Sequence, residues 1–312
     1  MEITASDVAK LREITGVGLM ACKKALVATN GDIDKACEYL REQGIAVAAK
    51  KASRIAAEGA AWAYISADKH TGALVEVNCE SDFVAKSDVF TALCDTVAKA
   101  AVESGVTDVD KLGEVKVNGS TVAEAITAAT QKTGEKISLR RVSVQNNAKA
   151  IEEAYIHMGG KMGTLIEVSA DGVTDANVAE VVSMAHDIAM HIAAFQPPYV
   201  RKEDVPADAV NHEREIIKQQ LLNDEKNKNK PEQVLVKIAE GKLGNFYKEN
   251  CLLYQAFAKD PSITVEQLVA STAKKTGAKL DVVRFTKFVM GEGIEKRTDN
   301  LAEEVAKLSA NK

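Results

Sequence analysis

Positive charge is the first thing this sequence is short of. Lysine and arginine total 40 against 45 aspartates and glutamates, a formal net charge of −5 and a pI near 5.7. The broad positive field of a dedicated nucleic-acid binder is therefore missing, and direct binding to nucleic acid is not expected. Long apolar runs are missing too. Gly44 to Ala49 and Ile188 to Phe195 are broken by polar residues far short of the roughly 18 needed to cross a bilayer, so no membrane partner is expected. Met1 to Asp7 carry neither a basic nor an apolar leader segment, which points to a cytoplasmic protein. Cysteine is scarce and unpaired in pattern. Cys22, Cys37, Cys79, Cys94 and Cys251 are an odd, scattered set without a C-x-x-C spacing, read as reduced structural thiols.

Catalytic chemistry is equally thin. His70, His157, His186, His191 and His212 form no H-E-x-x-H or Glu-x-x-His pair on one helical face, so no metal site is expected. Gly160-Lys161 lacks the frame of a phosphate-binding loop, and no G-x-S-x-G elbow occurs. Gly16-Val17-Gly18-Leu19-Met20-Ala21 matches the dinucleotide fingerprint in letters only, because a helix and not a buried strand precedes it. No catalytic residue and no cofactor is assigned. A small-molecule enzyme using a groove between subdomains stays open as a minor alternative.

What is present is order. A composition of 46% hydrophobic and 27% charged residues is that of a folding chain. The first 45 residues read as three short helices. Thr4 and Asp7 resemble a capping box, followed by a stripe of Val8, Leu11 and Ile14. Leu19, Cys22 and Leu26 continue at helical steps until the Asn30-Gly31 turn. Asp32 caps a third helix striped by Ile33, Ala36, Cys37 and Leu40, which Gly44 is expected to close. So small a module needs the rest of the chain or a partner to be stable.

An internal repeat organises the remainder. Ala63-Tyr64-Ile65 returns as Ala154-Tyr155-Ile156, and Gly72-x-Leu74-Val75-Glu76-Val77 as Gly163-x-Leu165-Ile166-Glu167-Val168, both at an offset of 91. Each copy reads as a β-hairpin whose second strand turns a Glu outward, followed by a helix. Phe90, Leu93, Cys94, Val97 and Ala101 correspond to Val181, Met184, Ala185, Ile188 and Ile192 on that helix. A second block, Thr121 to Arg141, returns as Thr264 to Arg284 at an offset of 143. The difference, about 52 residues, must be an insertion between roughly Val200 and Thr264.

The fold class that follows is α+β: an N-terminal three-helix module (1–54) and a duplicated core of antiparallel three-stranded sheets with helices (55–147 and 148–290). A helical-hairpin insertion spans about 205–255, and a C-terminal module with a short tail helix spans 291–312. The hairpin is striped by Val210, Ile217, Leu221, Val234, Ile238 and Phe246, and apolar residues off its seam would favour a homodimer. The tail helix is read from Leu301, Val305 and Leu308.

One string stands out, Val77 to Lys86 (VNCESDFVAK), between the second strand and first helix of the first repeat. Ser81 or Asp82 can cap the helix, and Phe83 can fold back as a staple. The second repeat has Ala170-Asp171-Gly172-Val173-Thr174 there, with no aromatic, so the repeat does not need one to fold. A carboxylate beside an exposed aromatic would also make a wedge for a partner.

Two stretches, Leu11 to Leu26 (LREITGVGLMACKKAL) and Glu76 to Lys86 (EVNCESDFVAK), resemble the signature segments of the bacterial elongation factor Ts family, with Gly291-Glu292-Gly293-Ile294-Glu295-Lys296 before the tail helix. Leu19 stands where the family commonly has Met, and Ser81 where Thr is common. The resemblance covers the whole chain. It implies a guanine-nucleotide exchange factor for elongation factor Tu, a translation factor and not an enzyme, with the first module similar to ubiquitin-associated domains. It further implies that Asp82 and Phe83, with Val84, reach the GTPase domain, that Arg12, Leu19 and Met20 touch it too, and that His157 and the tail helix add contacts. The alternative is a ubiquitin-associated-like adaptor without exchange activity.

Overall fold

The computed structural model describes residues 3–15, 17–224, 226 and 230–295. Gly16 of the fingerprint and the tail-helix residues Leu301, Val305 and Leu308 lie outside the described residues.

Three helices open the chain: α1 (Ala5–Thr15), α2 (Leu19–Ala28) and α3 (Ile33–Lys51). Thr4 and Asp7 form the expected reciprocal cap, the Thr4 amide donating to Asp7 Oδ2 at 2.9 Å and the Asp7 amide to Thr4 Oγ1 at 3.3 Å. Asn30 and Gly31 both take positive φ, 53° and 85°, as the turn requires. Val8, Leu11, Cys22, Ala25, Leu26, Ala36 and Leu40 make the small core.

Two expectations fail here. Ile14 is 57% exposed, and Val17 from the following turn fills the core in its place. Gly44 does not end the third helix, which runs on to Lys51. Gly44 is instead a packing glycine: a Cβ there would meet the Gln131 side chain at 2.9 Å, so its bareness lets α3 lie against a later helix.

β1 (Glu58–Ile65) and β2 (Thr71–Cys79) pair antiparallel, followed by a single turn, α4 (Asp82–Ala85), and by α5 (Asp88–Ser104). After α6 (Val109–Glu114) and a two-residue ribbon of β3 (Lys116–Val117) and β4 (Ser120–Thr121) come α7 (Val122–Thr133) and β5 (Ser138–Asn146). β5 pairs with β2, giving the order β1-β2-β5. The second half repeats the plan with β6 (Ala150–His157), β7 (Met162–Ser169) and α8 (Val178–Phe195). The helical hairpin α9 (Ala207–Asn223) and α10 (Glu232–Asn250) intervenes, then a short ribbon of β8 (Ala256–Phe257) and β9 (Asp260–Thr264), α11 (Val265–Thr276) and β10 (Val282–Val289). The second sheet has the order β10-β7-β6.

The arithmetic of the repeat is borne out in detail. α7 and α11 are exactly 143 residues apart at both ends, and each opens with a Thr capping box, on Thr121 and Thr264, and closes on a left-handed glycine, Gly134 and Gly277. The five matched residues of α5 and the five of α8 are all buried. The two sheets pack face to face through a seam in which Leu74 sits over Gly163 and Leu165 over Gly72; a Cβ on either glycine would be 2.6 Å from the opposing leucine methyl. Ala61 and Phe288 complete this seam.

That packing overturns the expectation of an outward Glu. Glu76 is 0% exposed and Glu167 1%, because the solvent face of each sheet is covered by the other. Glu76 is satisfied by Arg140 (3.0 and 3.1 Å), Arg141 (2.5 Å), Asn78 (3.1 Å) and the Gly291 amide (2.8 Å). Burial pushes its carboxyl up, and these donors together bring it below the usual range.

In the hairpin, Ile217, Leu221 and Leu243 are buried, while Val234 is 41% exposed and does not belong to the seam. The expectation that no segment could span a bilayer needs one correction: α8 is long and apolar enough by length and composition. Its apolar side is the core of the second half, where Val181, Met184, Ala185, Ile188 and Ile192 pack on the sheet. The five cysteines are free thiols, four of them buried. Burial pushes Cys79 up to about 12, which suits an inert structural thiol.

Candidate functional site

The turn between β2 and α4 is built to display and not to pack. Ser81, in extended conformation, is the N-cap, its hydroxyl accepting from the Val84 amide at 3.3 Å. Asp82 is therefore the first helical residue, and its carboxylate is free of capping. It pairs with Lys86 at 2.7 Å. This hydrogen bond holds the Asp82 carboxyl below its usual range, with Lys86 and Lys161 adding attraction. Phe83 is 83% exposed. The staple alternative would have buried that ring, whereas here Val84 and Ala85 turn inward to the core and Phe83 turns out.

A second element packs, like α4, against β1. Lys161 follows the turn after β6 and binds Glu58 of β1 at 2.7 Å. The turn lies close on β1: a Cβ on Gly160, whose φ is 98°, would be 2.5 Å from the Ala60 Cβ. His157 stands at its start, half-buried, its Nδ1 within 3.0 Å of the Tyr155 hydroxyl. Tyr155 in turn meets the His186 ring edge-on with centroids 5.7 Å apart, and His186 contacts Glu153 at 3.2 Å. The next residue, Met158, is 74% exposed and takes φ of 47°, unusual for a side chain with a Cβ. Sequence reading missed Met158. The Gly-Gly pair behind it was the available signal, since a tight turn after a strand must push something outward.

Leu19 and Met20, 49% and 69% exposed, open α2 side by side, and Arg12 is exposed on the adjacent α1. Gly18 precedes them without a side-chain cap, so the first turn of α2 is a bare apolar tip. This module is tied to the first half by Arg41 on Glu124 and by Lys51 on the Gly134 carbonyl. The sequence-derived residues thus fall at three separate places, each with an exposed apolar side chain: Leu19-Met20 with Arg12, Asp82-Phe83 with Val84 beneath, and His157, half-buried beside the newly found Met158. No group of three or more metal-ligating side chains occurs among the described residues. The seam that a small-molecule site would need is filled by Leu74, Leu165, Ala61 and Phe288.

Comparison with known proteins points one way. A family model described as Elongation factor TS matches residues 80–292. The chain is 44% identical to elongation factor Ts of Clostridium botulinum (strain Alaska E43 / Type E3) over 306 residues, covering 98% of each chain. It is 44% identical to that of Clostridium acetobutylicum over 307 residues, again 98% of each. Against elongation factor Ts of Symbiobacterium thermophilum the figure is 46% over 305 residues, 97% of each. A duplicated α+β core and three exposed apolar points thus sit in a chain matched nearly end to end by translation factors of one kind, and the protein belongs to the elongation factor Ts family.

Proposed function

We propose that this protein is the guanine-nucleotide exchange factor of elongation factor Tu, acting in the cytoplasm with no cofactor of its own and no covalent step. The observation that carries the reading is Phe83, a large aromatic 83% exposed on a turn whose cap, Ser81, is already satisfied. Such a ring gains nothing in the free protein and becomes useful only when a partner covers it.

The chemistry asked of it is mechanical. A translational GTPase holds its nucleotide through phosphate contacts and a bridging magnesium ion, so displacing those elements releases it. Phe83 supplies apolar area to enter between them, and Asp82 brings a negative charge to the same place. Linkage then makes the effect reciprocal: the factor by which the exchanger weakens GDP equals the factor by which GDP weakens the exchanger. Arg12, Leu19 and Met20 form a second contact on the GTPase domain, and His157 with Met158 a third. The second and third contacts hold the factor while the first is inserted. Exposed apolar residues in the groove between the two hairpin helices, Leu222 at 56% and Val236 at 51%, suit self-association of this chain.

Release of a fluorescent GDP from elongation factor Tu, followed with and without the full chain, tests the reading. Acceleration at substoichiometric factor supports exchange. Binding without acceleration would leave only the adaptor alternative.

A further inference from the structure

The turn that displays Phe83 is gripped by a carboxylate from a distant loop. Glu135, between α7 and β5, accepts through Oε2 from the amides of Ser81 at 2.9 Å and Glu80 at 3.1 Å, and through Oε1 from the Ser81 hydroxyl at 2.6 Å. That same hydroxyl caps α4 by accepting from Val84. Glu80 answers in kind, its carboxylate accepting from the Lys136 amide at 2.5 Å and from Arg54 at 3.2 Å. Lys136 then donates from Nζ to the carbonyls of Ala52 and Arg54, at 2.7 and 2.9 Å. One short loop thus holds both the turn before Phe83 and the chain leaving the N-terminal helices.

The second repeat is an internal control. At the offsets of 143 and 91, Ala278 and Lys279 stand for Glu135 and Lys136, and Asp171 and Gly172 for Glu80 and Ser81. The two turns are joined there by a backbone bond, the Lys279 amide donating to the Asp171 carbonyl at 2.8 Å, and by an exposed Lys279–Asp171 pair. The repeat closes without a carboxylate at this position. Glu135 therefore accompanies what the first repeat alone builds, the helical turn that carries Phe83.

We propose that Glu135 is a positioning residue for nucleotide exchange: through Ser81 it fixes the direction in which α4 presents Asp82 and Phe83. Two amides and a hydroxyl on one carboxylate make a charge-assisted clamp that orders the turn before the partner arrives. The inference rests on the exchange reading above. Since the remaining contacts hold the complex together, loosening the turn should slow the displacement step more than it weakens docking.

The test uses the full chain, with Glu135→Ala and Glu135→Gln made both alone and with Phe83→Ala. Two readouts are needed: hydrogen exchange at the amides of Glu80, Ser81 and Val84 in the free protein, and GDP release from elongation factor Tu at saturating factor. For Glu135→Ala, exchange at those amides should rise about tenfold or more while the melting transition stays within a few degrees. Maximal release should fall about tenfold with a less than about twofold change in half-saturating concentration, Glu135→Gln being intermediate because it keeps a neutral acceptor. In the Phe83→Ala background Glu135→Ala should change release no further. Unchanged amide exchange, or an equal loss of release with and without Phe83, overturns the proposal. If Glu135→Ala does not fold, the glutamine variant carries both readouts. If the unaltered protein accelerates no release, the exchange reading is refuted, and amide exchange alone still decides whether Glu135 orders the turn.

Discussion

Replacing Glu152 by glutamine should stabilise this protein, and increasingly so as the pH rises. Glu152 of β6 faces Glu167 of β7 across the strand pair, and both are buried in the seam, 0% and 1% exposed. It occupies the place that Ala61 holds in the first repeat: the Glu152 Cβ lies over Gly72 as the Ala61 Cβ lies over Gly163. Glu167 is satisfied by Asn147 and by Arg284 of β10, each at 2.6 Å. Neither carboxyl oxygen of Glu152 has a donor. Two carboxylates cannot bond to each other, whereas a proton on Glu152 turns it into a donor to Glu167. Burial, and then the Glu167 charge, push Glu152 from 4.5 up to about 8, with Arg284 opposing.

The sign follows from linkage. The folded state keeps a proton that the unfolded chain releases near pH 4.5, so stability is highest below that pH and declines as pH rises toward about 8. Each unit of pH within that window is worth about 1.4 kcal/mol, so by pH 7 the penalty is roughly 3 kcal/mol. Other titrations cancel in the difference between variant and parent. Glu152→Gln mimics the protonated acid, so the two proteins should unfold alike in guanidinium near pH 4.5 and diverge by roughly 3 kcal/mol near pH 7, the variant being the more stable. A difference that does not change with pH would refute the shared-proton account.

Two further outcomes test other parts of the fold. Glu76→Ala leaves Arg140 and Arg141 without their buried partner and frees the Gly291 amide, so the melting transition should drop by the equivalent of about 3–5 kcal/mol, while Glu295→Ala, exposed beyond it, should melt like the parent. Replacing residues 205–255 with a Gly/Ser linker that rejoins the chain should preserve the near-ultraviolet dichroism of the core and lower any self-association seen by sedimentation; loss of that dichroism would mean that Leu252 and Leu253, which are buried in the core of the second half, cannot be spared with the hairpin.

Local and repeated features were legible in the sequence, and features set by long-range packing were not. The offsets of 91 and 143 located both hairpins and a helix and strand in each second block, and the structure marks the ends of those two helices with strictly local chemistry, a capping Thr and a left-handed Gly. Gly44 carries the same letter as a helix stop, yet it is helical, since what it accommodates is Gln131, a neighbour far along the chain. Glu76 and Glu167 alternate like solvent-facing residues, and only the second sheet covering the first makes them internal. The string containing Phe83 was conspicuous by contrast with its repeat partner. Its exposure was undecided between staple and display, because the cap choice between Ser81 and Asp82 settles which side chain turns inward. The grip of Glu135 on that turn joins residues 54 and 55 positions apart and leaves no periodic trace.

Phe83 is proposed to work on a partner and not on its own core. GDP release from elongation factor Tu at saturating factor, compared between the parent and Phe83→Ala with thermal melting of each, tests it most directly. A phenylalanine packed in the core would cost about 3–5 kcal/mol on truncation, whereas one 83% exposed should cost little. The account predicts melting within a few degrees of the parent and release slowed by about tenfold or more. A variant that is several kcal/mol less stable yet exchanges nucleotide as fast as the parent would contradict it.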